Sequence, residues 1–96
     1  MIIYIDIDET ICLSRDKDYS NAVPIQANID KANKLYEQGH TIVYWTARGS
    51  TSGKDWTELT NRQIKEWGAK HHQVKLGKPS YDLFIDDKVL NTMDWK

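Results

Sequence analysis

The stretch Ile2-Ile3-Tyr4-Ile5-Asp6-Ile7-Asp8-Glu9-Thr10-Ile11 decides how this chain is read. Residues 2–7 are largely β-branched and apolar, with almost no alternation. That is the pattern of a strand covered on both faces, as in a parallel sheet. The run closes on two carboxylates, Asp6 and Asp8. If the strand simply continued, both side chains would project to the same side.

Outward from this strand the pattern changes period. Residues 8–23 are polar and irregular, and read as a loop or flap. Pro24 suits the start of a helix. Ile25, Ile29, Ala32, Leu35 and Tyr36 then recur at helical spacing, and Gly39 supplies the stop. Thr41–Trp45 reads as a second strand, and the Gly/Ser/Thr-rich residues 47–55 as a loop. Asp55 with Glu58 resembles a capping box, Leu59, Ile64 and Trp67 form the apolar face of the next helix, and Gly68 ends it. A short strand is expected around residues 73–76, a last buried strand over residues 82–85, and a single helical turn after Val89. Strands alternating with helices predict right-handed crossovers and an α/β, three-layer, Rossmann-like arrangement, with a parallel sheet between helices on both faces. In such sheets a ligand sits at the carboxyl ends of the strands.

Composition narrows the class. The chain has 96 residues, which predicts one domain over 1–96 with little room for a separate lid. Formal net charge is -1 with both signs interspersed, so neither a nucleic-acid stripe nor a membrane-surface helix is expected. One cysteine, Cys12, cannot close an internal disulfide, which fits a reducing compartment. The apolar run at the start lacks a charged leader and is too short for a signal peptide, so a cytoplasmic protein is expected.

The predicted strand ends carry the chemistry. Asp6 and Asp8 close the first strand, Thr46 the second, Asp86 and Asp87 the last, and Lys78 precedes the last. A lone Asp after a strand is more often a turn residue or cap than a catalytic group. The joint pattern favours a site. Carboxylates crowded on one edge repel, and a divalent cation would relieve them. Magnesium suits one or two carboxylates plus a substrate phosphate. Asp6 is then placed to attack phosphorus, and Asp8 to move protons. Thr46, Lys78 and the backbone amides after Asp6 would hold phosphate oxygens.

Asp6-Ile7-Asp8-Glu9-Thr10, Thr46, Lys78 and Asp86-Asp87 together resemble, in order and spacing, the four motifs of the haloacid dehalogenase (HAD) superfamily of phosphohydrolases. Its first motif usually reads Asp-x-Asp-Gly-Thr, and Glu9 here replaces the glycine. The resemblance implies Asp6 as nucleophile, Asp8 as acid/base, and Thr46 and Lys78 as phosphate ligands. It also implies magnesium on Asp6, the Asp8 backbone carbonyl and the acidic pair, with Asp87 the direct ligand and Asp86 in support. Asp18-Tyr19, Ala22-x-Pro24, Tyr44-Trp45-Thr46-Ala47-Arg48-Gly49, Asp55-Trp56, Trp67-Gly68 and Lys78-Pro79-x-Tyr81-Asp82 are similar to a small group of bacterial HAD proteins linked to capsule or surface-polysaccharide biosynthesis. Those are capless, and the short segments 11–23 and 47–55 leave no space for a cap here.

Further residues carry two readings each. Arg48 and Lys54 could contact a second acidic group on a substrate; alternatively Arg48 packs on Trp45 or pairs with a structural carboxylate. Tyr19 and Trp56 could wall a small substrate, whereas Trp45 and Trp67 read as core. His71 and His72 would point to opposite sides of a strand, which argues against a metal pair. His40 is expected at a helix C-terminus, and Cys12 as a small buried residue. The leading expectation is hydrolysis of a small phosphorylated metabolite, such as a sugar phosphate, with a homo-oligomer left open as a way to cover the site. The rivals are a receiver-like domain, whose acidic pair and phosphorylated Asp come in the opposite chain order, and a catalytically silent regulator.

Overall fold

A computed structural model describes residues 1–96. β1 (Ile2–Asp6), β4 (Thr41–Trp45) and β5 (Gln73–Lys75) form a parallel sheet in the order β1-β4-β5. Between β1 and β4 lie the short strands β2 (Cys12–Leu13) and β3 (Val23–Pro24) and the helix α1 (Gln26–Glu37). Helix α2 (Thr57–Glu66) links β4 to β5. Asp6 stands opposite Trp45, and Trp45 opposite Lys75, so the strands end level with one another. Thr46 therefore sits on the same carboxyl edge as Asp6. No helix is long and apolar enough to cross a membrane.

The strand order determines where the helices go. Each crossover steps in the same direction, so two right-handed connections place both helices on one face. The chain just past α2 is tied to α1 there: the Asn33 amide donates to the Gly68 carbonyl at 2.8 Å, and its oxygen accepts from the Lys70 amide at 2.8 Å. One core follows, with Ile5, Ile7, Ile42 and Tyr44 of the sheet side against Ile29, Ala32 and Ile64 of the helices. Tyr4 and Trp45 turn to the other face, edge to face at 5.6 Å, and Tyr4 is half exposed. The α/β class and parallel sheet agree with the sequence, but the expectation of helices on both faces is corrected: both pack on one.

The reason lies in residues 82–85. They were expected to form a buried strand and are instead irregular, with Leu83 74% and Ile85 88% exposed. The outer edge of β1 stays unpaired, so no strand feeds a second layer. Local contacts hold the segment elsewhere. Tyr81 packs on Phe84 at 5.2 Å, and the Lys78 ammonium lies over the Tyr81 ring.

Other boundaries shift for simple reasons. Pro24 belongs not to a helix start but to β3, which pairs antiparallel with β2 in a small ribbon. Proline fits such an edge, where no amide is required. The flap of residues 8–23 is thus partly ordered, with a 3₁₀ turn at Tyr19–Asn21. Asp55 accepts from the Thr57 amide rather than closing a box with Glu58. Gly39 and Gly68 follow the helices as expected, with backbone bonds from His40 to Leu35 and from Ala69 to Ile64 closing them. The tail ends in one 3₁₀ turn, Thr92–Asp94, and the Lys31 ammonium ties Trp95 to α1 at 2.6 Å.

Candidate active site

Asp6 is the last residue of β1, and its carboxylate opens onto a cleft of about 590 Å³. The Lys78 ammonium lies 3.3 Å from one carboxylate oxygen, and the Thr10 hydroxyl donates to the other at 3.4 Å. Burial pushes the Asp6 carboxyl above its ordinary range; the Lys78 charge and the Ile7 amide oppose this, and the nearby Asp8 charge adds to it.

Asp8 does not continue the strand. The chain turns immediately after it, and Glu9 takes a left-handed conformation with φ 65°. That conformation explains why a glycine suits this position. The Glu9 amide donates forward to the Cys12 carbonyl at 2.7 Å, and the Thr10 and Ile11 amides donate back to the Ile7 carbonyl. Those amides close the turn and are not free for an anion.

Asp8 is gripped from one side. Arg48 donates to both of its oxygens at 2.9 Å, through Nε and Nη2. The Ser14 hydroxyl adds a bond at 3.0 Å, and the Cys12 thiol lies 3.5 Å away. The Arg48 guanidinium is fully buried. Its remaining donors go to Gln63 at 2.6 Å and Thr60 at 3.2 Å, both buried on α2, and its plane covers the Tyr19 ring at 4.7 Å. The expectation that Arg48 reaches a substrate is therefore corrected. Its donors are spent inside the protein, so it acts by holding Asp8. Sequence reasoning did not single out Ser14, Thr60 or Gln63. The available signal was two polar residues, Thr60 and Gln63, on the buried face that α2 shares with Ile64.

Thr46 is buried, and its hydroxyl oxygen accepts from the Arg48 amide at 3.1 Å. The hydroxyl hydrogen stays available to a phosphate oxygen. Lys78 is fixed by its backbone: its amide donates to Thr46 at 3.1 Å, and its carbonyl accepts from the Ser50 hydroxyl at 2.6 Å. Asp6, Asp8, Thr46 and Lys78 thus share one cleft, as the sequence predicts. Tyr19, Lys54 and Trp56 line it too, with the Tyr19 and Trp56 rings edge to face at 5.0 Å. Lys17 joins them and was not foreseen as a site residue.

Asp86 and Asp87 do not join them. Both are exposed and neither lines the cleft. Asp86 turns back to its own chain, accepting from the Lys88 amide at 2.9 Å, and that bond holds its carboxyl below the usual range. No group of three or more His, Cys, Asp or Glu side chains is placed to hold a metal ion. Of the magnesium ligands expected, Asp6 and Asp8 meet at the cleft and the acidic pair Asp86 and Asp87 does not. Lys78 contacts one Asp6 oxygen and Arg48 the Asp8 carboxylate, which leaves Asp6 and the Asp8 backbone carbonyl as the groups that would hold the ion.

The remaining expectations resolve locally. Cys12 is fully buried, and burial pushes its thiol up to about 12. Trp67 packs on the core, and Trp45 is half-buried under the Lys78 ammonium. The His72 ring accepts from the Ile42 amide and stacks on Tyr36, whereas His71 lies against the Ala69 carbonyl, so the two diverge. The His40 amide closes the end of α1 on the Leu35 carbonyl, as expected, while its ring meets the N-terminal amine at 3.0 Å.

No family model matches the chain, and no curated protein sequence matches it. Among solved structures it is similar to the crystal structure of a structural-genomics target from Vibrio cholerae. The two share 20% of residues at a TM-score of 0.87, over 97% of this chain and 85% of that one. At that identity the likeness establishes a shared fold alone.

Proposed function

We propose that the chain is a capless HAD-type phosphohydrolase that cleaves a small phosphate monoester through an aspartyl-phosphate on Asp6. The observation that carries this reading is the meeting of Asp6, Asp8, Thr46 and Lys78 in one cleft at the carboxyl edge of a parallel sheet. Asp6 attacks phosphorus as the bond to the ester oxygen breaks. That electron pair goes to the leaving oxygen, which takes a proton from Asp8. Asp8 then accepts a proton from the water that attacks the aspartyl-phosphate, releasing phosphate and restoring Asp6. Lys78, beside the attacking oxygen, offsets charge on the transferred group, and the Thr46 hydroxyl donates to it.

The Arg48 contact sets a condition on this sequence. Both Asp8 oxygens accept from the guanidinium. Oδ2 keeps a further lone pair beside the Arg48 bond, so Asp8 can pass a proton without leaving the guanidinium. Arg48 therefore fixes where that proton is delivered.

Magnesium is the cofactor this reading calls for, with Asp6 and the Asp8 backbone carbonyl as the groups that would hold it. When bound it supplies charge neutralisation of the phosphate. The sub-family resemblance further suggests a sugar phosphate or related surface-polysaccharide intermediate as substrate, in the cytoplasm. A receiver-like or silent regulatory protein is the alternative.

Turnover of an aryl phosphate with and without magnesium separates these. Many magnesium-dependent turnovers per chain are expected, with Asp6→Asn abolishing them. Burial already disfavours the Asp6 charge, so that variant should be no less stable than wild type at pH 7. Asp8→Asn should slow turnover by roughly 10²–10⁴-fold. Near-wild-type turnover by Asp6→Asn would overturn the mechanism, and a single labelled phosphate per chain without turnover would favour the receiver-like alternative.

A further inference from the structure

We propose that Lys17 and Lys54 form a second anion subsite in the cleft, so that the substrate is a phosphate ester whose carbon skeleton carries another anionic group. That group is a carboxylate or a second phosphate. The inference rests on the phosphatase reading for the first phosphate and extends it to the rest of the molecule.

Charge pairing in the cleft points there. Its cationic lining residues are Lys17, Arg48, Lys54 and Lys78. Arg48 is committed to Asp8 and Lys78 to Asp6. Lys17 and Lys54 take part in none of the chain's ion pairs, and both are exposed. Glu9, the one other acid in the lining, accepts from the Ser14 amide. Glu9 adds a third carboxylate but makes no ion pair with either lysine, so four cations face three carboxylates in the lining and neither Lys17 nor Lys54 is committed.

Both lysines sit on backbone that is held in place. Lys54 ends the loop after Thr46, and that loop closes on itself at Gly49. A side chain at Gly49 would collide with the Lys54 carbonyl, and the Gly53 amide donates to the Gly49 carbonyl at 2.9 Å. Lys54 is thereby tied to the strand end that carries Thr46 and Arg48. Lys17 sits in a tight turn closed by the Asp18 amide on the Arg15 carbonyl at 2.8 Å. Asp16 and Lys17 are both left-handed there, at φ 49° and 59°. Such a turn favours glycine or asparagine, so turn chemistry does not account for a lysine at this place in the cleft lining. Tyr19 and Trp56 line the same cleft and offer an apolar wall for the connecting carbons.

The test compares ligands built on a three-carbon skeleton that cannot be hydrolysed. Propylphosphonate, 3-phosphonopropionate and propane-1,3-diphosphonate are titrated into the protein by calorimetry, with magnesium at low ionic strength. At least one of the two doubly anionic ligands should bind about tenfold more tightly than propylphosphonate. Which one gains more tells carboxylate from phosphate. In K17M/K54M the advantage should fall to about threefold or less. Equal affinities in the wild type, or an advantage that survives K17M/K54M, would overturn the subsite. If propylphosphonate binds without any such advantage, the subsite alone fails. If none of the three binds, the phosphate site fails with it.

Discussion

Replacing Arg48 by methionine removes the group that the site is built around. The side chain keeps similar length and apolar volume but loses two bonds to Asp8, one to Gln63 and one to Thr60. Breaking a buried ion pair from one side costs about 3–5 kcal/mol, because the partner charge is left uncompensated. Asp8 retains 21% side-chain exposure, so water reaches part of it, and the lower end, about 3 kcal/mol, is the better figure. For a domain of this size that corresponds to a drop of roughly 12–24 °C in Tm.

Urea denaturation of wild type, R48M, D8N and R48M/D8N forms a cycle that isolates the pair. A coupling of about 1.5–3 kcal/mol between Arg48 and Asp8 is expected. R48K should recover less than half of the loss. An ammonium cannot present the planar fork that grips both Asp8 oxygens, nor reach Gln63 and Thr60 at once. If Asp8 carries the proton as proposed, R48K should, among variants that fold, lower kcat more than it changes KM. An R48M protein within 1 kcal/mol of wild type, or additive behaviour in the cycle, would refute the reasoning.

The Tyr44 hydroxyl is fully buried without a hydrogen-bond partner, so Y44F should raise stability at pH 7 by about 1 kcal/mol in a urea melt. Burial pushes the Tyr44 phenol up to about 12, whereas in the unfolded chain it ionises near 10. Below pH 10 both states keep this proton; as pH rises from 10 towards 12 the unfolded chain loses it first, and wild-type stability falls. Y44F should lose less stability than wild type between pH 9 and 11, and equal losses would count against an unpartnered hydroxyl. E9G should gain about 1 kcal/mol by relieving the left-handed Glu9, slightly reduced by loss of the exposed 3.3 Å bond from Ser14. A lower urea midpoint for E9G would mean that the Glu9 side chain contributes more than the turn strain it imposes.

Features set by short stretches of chain were legible in the sequence. β1 and β4 show as apolar β-branched runs, both helix ends as glycines, and Asp6, Asp8, Thr46 and Lys78 as polar residues at or near strand ends. Arg48 was visible as a candidate, but its partner was not. Asp8 lies 40 residues away and Gln63 15 residues away, and only tertiary packing brings them to one guanidinium. Pro24 fits both a helix start and an edge strand, and the Cys12 pairing decides between them. Residues 82–85 have a strand's composition, yet a strand exists only with a neighbour to pair with. No local pattern reveals that β1 leaves its outer edge unpaired. The face occupied by α2 likewise depends on strand order, which composition does not encode.

Crowded carboxylates at one sheet edge first suggested a cation, because like charges held together out of water are unfavourable. The chain answers that problem in two ways. Asp86 and Asp87 stay exposed and away from the cleft. The two carboxylates that do meet have separate cations, Lys78 for Asp6 and Arg48 for Asp8. The pairs differ in kind. Arg48 is fully buried and bonded on every side, so the Asp8 end is rigid. Lys78 makes a single 3.3 Å contact to a carboxylate that is 36% exposed, so the Asp6 end is easily remodelled. A nucleophile needs that second arrangement, because its charge partner must move to the incoming phosphate as the new bond forms. A proton carrier needs the first, because its reach to the leaving oxygen must be fixed beforehand. Within the proposed phosphatase mechanism, the asymmetry between the two pairs supports attack by Asp6 and proton transfer by Asp8.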